Sequence, residues 1–371
     1  MTPLSVRTGR GAGNCAPPFL EEDVERYKSF DYIKLVSYAG VIVYHYLIGM
    51  EFSGRASISA GAVFQAPLLT FVTVFVSLFF MLSGAGLTLS AEKKGKFSAW
   101  EFYKKHFVRL LLPFYIAYLM DLALYLLFTG GLPFPADMPK KRIIFTLLGM
   151  DEFMAMMGYP TFTLGVGEWF LGCLVLFYLV YPLVYAALKK AGALTFLFTT
   201  GCYVYLVLTY RWRIPPHQNL ILRGYEFLLG AFLALHLNRL KRASLLVTIP
   251  LMVVCLLGLP GVTVPYQFAN TVFTVAAVIS AVTIERWIRK EDAAGSEKKI
   301  GRVTKVFLAY AYEVFLVHHF ILAWFQNCLP EKVFPTYAVW LLLIPTLGLI
   351  WAAAVVVRIT EKGIQKALQL H

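Results

Sequence analysis

The chain has 371 residues, of which 59% are hydrophobic, 16% aromatic and only 15% charged. A soluble globular protein carries about 45–50% apolar and about 25% charged residues, so that class is excluded. The formal net charge is +13. The basic residues form no single patch interleaved with aromatics, so nucleic acid is not an expected partner.

The apolar runs are continuous and do not alternate, which points to membrane helices and away from a β-barrel. Residues 1–30 mix Pro, Gly, acids and bases without an apolar core, so they read as a cytoplasmic tail and not as a signal peptide. The first span then serves as its own insertion signal. Runs long enough for a bilayer place spans at 32–50, 63–90, 109–128, 167–188, 192–210, 218–238, 243–259, 266–287, 303–327 and 336–358. With the N-terminus inside, the cytoplasmic segments hold 24 Lys and Arg against 7 on the other side, which orients both termini to the cytoplasm. The expected fold is all-α, a polytopic helical membrane protein of about ten transmembrane helices. The expected membrane domain runs over 31–360, with a cytoplasmic C-terminal tail at 361–371. No internal repeat supports a transporter of two symmetric halves. The five cysteines share no CxxC or metal-ligand spacing, so no metal site is expected.

Span 1 contains "KLVSYAGVIVYH", from Lys34 to His45. A lysine at a helix centre costs about 2.5–3.5 kcal/mol on insertion scales, so a functional reading has to be weighed. Eleven steps of about 100° bring Lys34 and His45 onto one face, His45 about 16 Å deeper. Tyr38 and Asp31 lie near that face, which makes one polar stripe from the cytoplasm to beyond mid-membrane. Lys34 can equally be a snorkelling terminal lysine, and His45 a histidine hydrogen-bonded between helices.

Span 2 ends in "SLFFMLSGAGLTL", placing Ser83, Gly84 and Gly86 near the cytoplasmic end. Small residues there admit a ligand or, more commonly, another helix. The following segment, "AEKKGKFSAWEFYKKHFVRLLLPFYIAY", is basic and amphipathic and leads to Arg109 and Pro113 at the mouth of span 3. It suits either an interfacial helix or a cytoplasmic site for a polyanion such as a nucleotide phosphate, with Lys34, Ser83 and Arg109 meeting there.

The outer face carries another set. Glu168 and Trp169 open span 4, and Arg223 and Glu226 open span 6 three residues apart. An aromatic, a carboxylate and a guanidinium at an outer mouth suit a sugar, although Arg223 and Glu226 also fit a structural ion pair. Span 9, "YAYEVFLVHHFIL", places Glu313 mid-span and His318 at a depth similar to His45. Asp121 in span 3 is a candidate partner for a histidine.

Together these residues resemble the family-3 membrane-bound acyltransferases, which include bacterial surface-polysaccharide O-acetyltransferases. The likeness covers about residues 26–360. It rests on a basic residue and a histidine eleven positions apart (Lys34, His45), on "FFMLSGAGL", on a basic stretch running into "RLLLPFY", and on "EWFLGCLVLFYLVYP", "EFLLGAFLA" and "YEVFLVHHFIL", in that order. Two departures stand out. His106 occupies the first of two positions that are often arginine in the family, and the serine–glycine motif reads SGAG.

The resemblance implies acyl transfer from a cytoplasmic acyl-CoA, most commonly acetyl-CoA, to a hydroxyl of an extracytoplasmic glycan or lipid-linked sugar. It implies an essential His45, with Lys34 and Arg109, joined by Ser83, serving the donor. Glu168, Trp169, Arg223, Glu226 and His318 are the candidate acceptor-binding set. His45 is read as general base, with a covalent acyl-histidine as the variant. No bound cofactor is expected; acyl-CoA is a co-substrate. Besides acyl-CoA and the carbohydrate, membrane lipid is the expected partner, and the plasma (inner) cell membrane the expected location. A polysaccharide exporter or flippase without acyl-transfer chemistry is the rival function.

Overall fold

The computed structural model describes residues 27–95, 97–261, 263–291 and 302–368. The expected N-terminal tail therefore lies almost wholly outside the described residues, as do residues 292–301 and the last three residues. The described chain is helical, with no strand and only two isolated β-bridges.

The main helices are α1 (Lys28–Phe52), α2 (Phe71–Lys94), α3 (Ala99–Thr129), α4 (Glu168–Leu208), α5 (Leu220–Ala234), α6 (Leu245–Leu257), α7 (Tyr266–Glu291), α8 (Arg302–Ala309), α9 (Ala311–Asn327) and α10 (Thr336–Ala367). Among the described residues six of them, α1, α2, α3, α4, α7 and α10, are long and apolar enough to cross a membrane. The expected runs at 167–188 and 192–210 are the two arms of α4. Ala191 leaves helical geometry at φ −147°, ψ 51°. Thr195 Oγ1 donates to the Ala187 carbonyl at 3.3 Å. Those residues would lie about 12 Å apart along a straight helix, so the chain bends sharply there. The expected run at 303–327 is likewise not continuous, because it breaks at Tyr310 between α8 and α9. Helices α5 and α6 have 15 and 13 residues, shorter than the ~20 that span a hydrocarbon core.

The bundle is held by backbone proximity and by buried polar contacts. α2 and α5 cross at two glycines. A Cβ on Gly84 would lie 2.0 Å from the Phe227 carbonyl oxygen, and one on Gly230 would lie 1.8 Å from that of Met81. Gly84 therefore serves helix packing, whereas nothing lies within 4 Å of a Cβ on Gly86. At the same crossing Arg223 Nη1 donates to Glu226 Oε2 at 2.6 Å and to Ser77 Oγ at 2.7 Å. Glu226 Oε1 accepts from Ser77, Gln267 and Thr271. This cluster fastens α2, α5 and α7 together with Arg223 and Glu226 wholly buried.

α1 sits between these helices and α9–α10. Its N-terminal amides at Lys28 and Ser29 donate to the Glu285 carboxylate of α7, each at 2.8 Å, as suits a helix N-terminus. Further along, Gln326 Nε2 of α9 donates to the Tyr46 carbonyl at 3.1 Å, and Tyr46 Oη donates to the Val339 carbonyl of α10 at 2.6 Å. The first bond fixes the depth of α1 against α9, which carries His318, and the second fixes it against α10.

Two outcomes are expected from thermal melting in detergent. Gly230→Ala forces a methyl group into a backbone carbonyl and destabilises by about 1–3 kcal/mol or more, while Gly86→Ala stays within about 0.5 kcal/mol of wild type. Glu226→Leu strands a buried guanidinium and costs about 3–5 kcal/mol, whereas the Arg223→Met/Glu226→Leu double variant melts closer to wild type.

Candidate active site

Three helices bring His45, Glu168 and His318 together. His45 Nδ1 lies 2.9 Å from His318 Nε2, and Glu168 Oε1 lies 3.3 Å from the first nitrogen and 3.1 Å from the second. The ring planes are 13° apart with centres 5.2 Å apart. That distance equals the 2.9 Å nitrogen gap plus one ring radius on each side. The two rings therefore meet head-on, nearly coplanar, with their nitrogens on the line joining the centres. His318 Nδ1 lies 2.6 Å from the Phe315 carbonyl oxygen. A carbonyl only accepts, so His318 Nδ1 carries the hydrogen.

Glu168 reaches this pair through a specific backbone turn. Gly165 and Gly167 have φ of 76° and 77°, and Glu168 itself has φ of 47°. Left-handed geometry is routine for glycine and uncommon for glutamate; the surroundings must hold it. Thr163 does part of this, donating to Glu152 and accepting from the Gly165 amide. Gly172 is pressed against Phe153, which seats the short helix Asp151–Met156 on α4. The long loop before span 4 is thus an ordered support that presents Glu168 at the first position of α4. Glu168 Oε1 is buried and accepts no hydrogen bond of its own.

The three ligand-type atoms all lie within 4.8 Å of one another, close enough for a metal ion. In a metal site, however, the nitrogen lone pairs converge on a common point, whereas here those of His45 and His318 lie along one line. That is the geometry of an N–H···N hydrogen bond.

His45, Glu168 and His318 line a cavity of about 350 Å³ together with Trp169, Arg223 and His217. A smaller cavity of about 30 Å³ lies on the Lys34 side, lined by Lys34, Ser83 and Tyr312 among others. Tyr38, Phe79, Phe170 and Phe315 line both cavities. Tyr38 and Phe79 have ring centres 4.5 Å apart, Phe79 and Phe170 6.0 Å, and Phe170 and Phe315 5.2 Å, so the four form an aromatic partition. Lys34, Tyr38 and His45 follow one another along α1 from the small cavity, through the partition, to the large one.

The expected residues sort as follows. Lys34 and Ser83 share the small cavity, but Arg109 lines neither. Trp169 and Arg223 line the large cavity, whereas Glu226 is sealed behind Arg223 and does not. Glu168 and His318, read from sequence as acceptor contacts, lie against His45 itself. Asp121 accepts from Trp324 Nε1 at 2.9 Å and meets no histidine. Glu313 accepts from Arg358 Nη1 at 2.6 Å. Sequence reasoning missed His217 and the aromatic partition. His217 holds Arg223, its carbonyl accepting from Arg223 Nε at 2.6 Å. Burial, with the Arg223 charge adding to it, lowers the His217 side chain to about 4, so this residue stays neutral through the physiological range.

No curated protein and no solved structure matches the chain at the level searched. Residues 27–357 match an acyltransferase domain, that of acyltransferase family 3, and this stretch takes in His45, Glu168, His318 and both cavities. Apolar helices of spanning length around a buried histidine, together with a match over nearly the whole chain, make the protein a membrane acyltransferase that belongs to acyltransferase family 3.

Proposed function

We propose that the protein moves an acyl group, acetyl in the simplest case, from cytoplasmic acyl-CoA to a hydroxyl of an extracytoplasmic glycan or lipid-linked sugar. In this reading the chain crosses the plasma membrane about ten times with both termini in the cytoplasm, in keeping with the 24-to-7 charge asymmetry. The observation that carries it is the arrangement along α1. A lysine stands at a small cavity, a histidine stands at a large one, and only a wall of aromatic side chains lies between.

Lys34 and Ser83 receive the donor at the small cavity, and the thioester arm passes the partition to reach His45. The acceptor occupies the large cavity against Trp169 and Arg223. Arg223 suits an oxygen-rich ligand, because its Nη2 is buried and makes no hydrogen bond within the protein. His45 takes the hydroxyl proton as the oxygen attacks the thioester carbonyl. The C–S bond then breaks, and the departing sulfur takes the proton from His45. The products are the O-acyl sugar and free CoA, and His45 returns to its starting state. The Glu168 carboxylate, short of a hydrogen-bond partner, faces the imidazole that becomes cationic in between, so the compensating charge is already in place.

The test is CoA release by purified protein in nanodiscs, given acetyl-CoA and a crude surface-glycan extract. General-base help contributes about 10²–10⁴-fold, so His45→Ala is expected to lose at least that much turnover with an unchanged melting temperature. Wild-type turnover in His45→Ala overturns the assignment. Acetyl-CoA that does not bind, with no CoA released, returns the chain to the exporter reading. Ser83→Leu fills the small cavity and is expected to raise KM for acetyl-CoA while leaving KM for the acceptor unchanged. An unchanged donor KM would separate that cavity from the donor.

A further inference from the structure

The head-on contact of His45 and His318 also bears on which nitrogen does the chemistry. Phe315 is three residues before His318 on the same helix, and its carbonyl oxygen can only accept, so the hydrogen on His318 Nδ1 is imposed by the backbone. A neutral imidazole carries one hydrogen. His318 Nε2 is therefore a bare lone pair, and it points along the nitrogen–nitrogen line at His45 Nδ1, 2.9 Å away. Two lone pairs cannot face each other at that distance, so His45 Nδ1 must supply the hydrogen. Its own second nitrogen, Nε2, is then the one left with a lone pair.

We infer that His318 is a positioning residue that selects the tautomer of His45, fixing the hydrogen on Nδ1 and leaving Nε2 as the base. This rests on the acyl-transfer reading of His45. It also gives His318 a share of the charge. When His45 Nε2 takes the hydroxyl proton, the Nδ1 hydrogen can slide along the same line to His318 Nε2. His45 is then neutral with its hydrogen on Nε2, and His318 is the cation, with hydrogens on both nitrogens. As the C–S bond breaks, His45 Nε2 gives its proton to the thiolate and the Nδ1 hydrogen slides back, so no proton is gained or lost overall. Glu168 Oε1 stands 3.3 Å from one end of that line and 3.1 Å from the other, beside it and not on it. It therefore faces the positive charge in either position. His319, edge-on to His45 with ring centres 5.5 Å apart, lies off the line and has no part in the exchange.

The experiment compares His318→Leu, His318→Lys and His318→Gln in the nanodisc assay and reads histidine tautomers by ¹⁵N NMR of the labelled wild type. Tautomer loss in a related triad costs about 10⁴-fold. Because Glu168 can take over part of the Nδ1 hydrogen bond, His318→Leu is expected to lose about 100-fold in kcat, with KM for acetyl-CoA nearly unchanged. His318→Lys, which only donates, stays as low. His318→Gln, whose amide oxygen accepts, recovers to within about tenfold of wild type. In the NMR spectrum the His45 signals, assigned by their loss in His45→Ala, report a hydrogen on Nδ1. A wild-type kcat in His318→Leu alongside a silent His45→Ala overturns the inference and leaves His45 as the base. A glutamine variant no better than leucine overturns it too, as does a His45 hydrogen on Nε2 in the wild type, a readout that does not depend on any His318 variant folding. One equivalent of divalent metal, lost in both His45→Ala and His318→Leu, also overturns it, because the ion would occupy the space between the two nitrogens. Should His45→Ala keep full turnover, the acyl-transfer role of His45 falls, and the spectrum still decides the tautomer by itself.

Discussion

Hydrocarbon offers no hydrogen-bond partner, so each polar side chain inside this bundle has to find one on another helix or on the backbone. The structure is organised around that constraint. Arg223 and Glu226 are wholly buried; they pair with each other, and Arg223 Nη1 and the Glu226 carboxylate also reach Ser77 on α2 and Gln267 and Thr271 on α7. Arg358 on α10 reaches Glu313 on α9. Asp121 on α3 accepts from Trp324 on α9. In a medium where lipid tails are as apolar as leucine, burying more leucine does little to choose one helix arrangement over another. These polar ties, with the two glycines at the α2–α5 crossing, make that choice.

The same constraint makes the exceptions informative. Most buried polar groups are paired, so the unpaired ones at the cavity stand out. Glu168 Oε1 and Arg223 Nη2 are both without a partner, and both residues line the large cavity. One is an acceptor and the other a donor. Glu168 is in addition held in left-handed geometry at φ 47°. Strain and unmet hydrogen bonding at one residue fit a group placed for what arrives there during the reaction. The aromatic partition lies between the two cavities and sets apolar surface beside the imidazoles, so in the proposed mechanism the charge that forms there is screened less and is felt more strongly by Glu168.

Much of this was legible in the residues themselves. Every expected apolar run has a helix in the structure, because length and hydropathy decide which segments can be helical in lipid. The shared face of Lys34, Tyr38 and His45 followed from 100° per residue, a property of one helix that needs no knowledge of its neighbours. The pairing of Arg223 with Glu226 was readable from their i,i+3 spacing. The break at Ala191 was legible too, because Lys189, Lys190 and Gly192 interrupt the apolar run between the two expected spans. Less legible was the one at Tyr310, which has no proline or glycine beside it, so hydropathy alone could not distinguish a long helix from two joined pieces.

The sequence by itself determined the membrane class and the helical segments, since each depends on composition or on spacing within one segment, and it carried the acyltransferase likeness through six motifs in order along the chain. Only the tertiary structure decided what surrounds His45. Glu168 lies 123 positions from His45 and His318 lies 273 positions away, and no periodicity links residues on separate helices. Glu168 and His318 looked like contacts for the acceptor because the sequence showed only their depth. Which groups touch is set by how α1, α4 and α9 pack, and that depends on polar ties and glycine crossings made by residues elsewhere in the chain. The one local sign was Gly165–Val166–Gly167–Glu168, two glycines that permit a left-handed turn just before a carboxylate. Its meaning came only from the histidine pair that the turn faces.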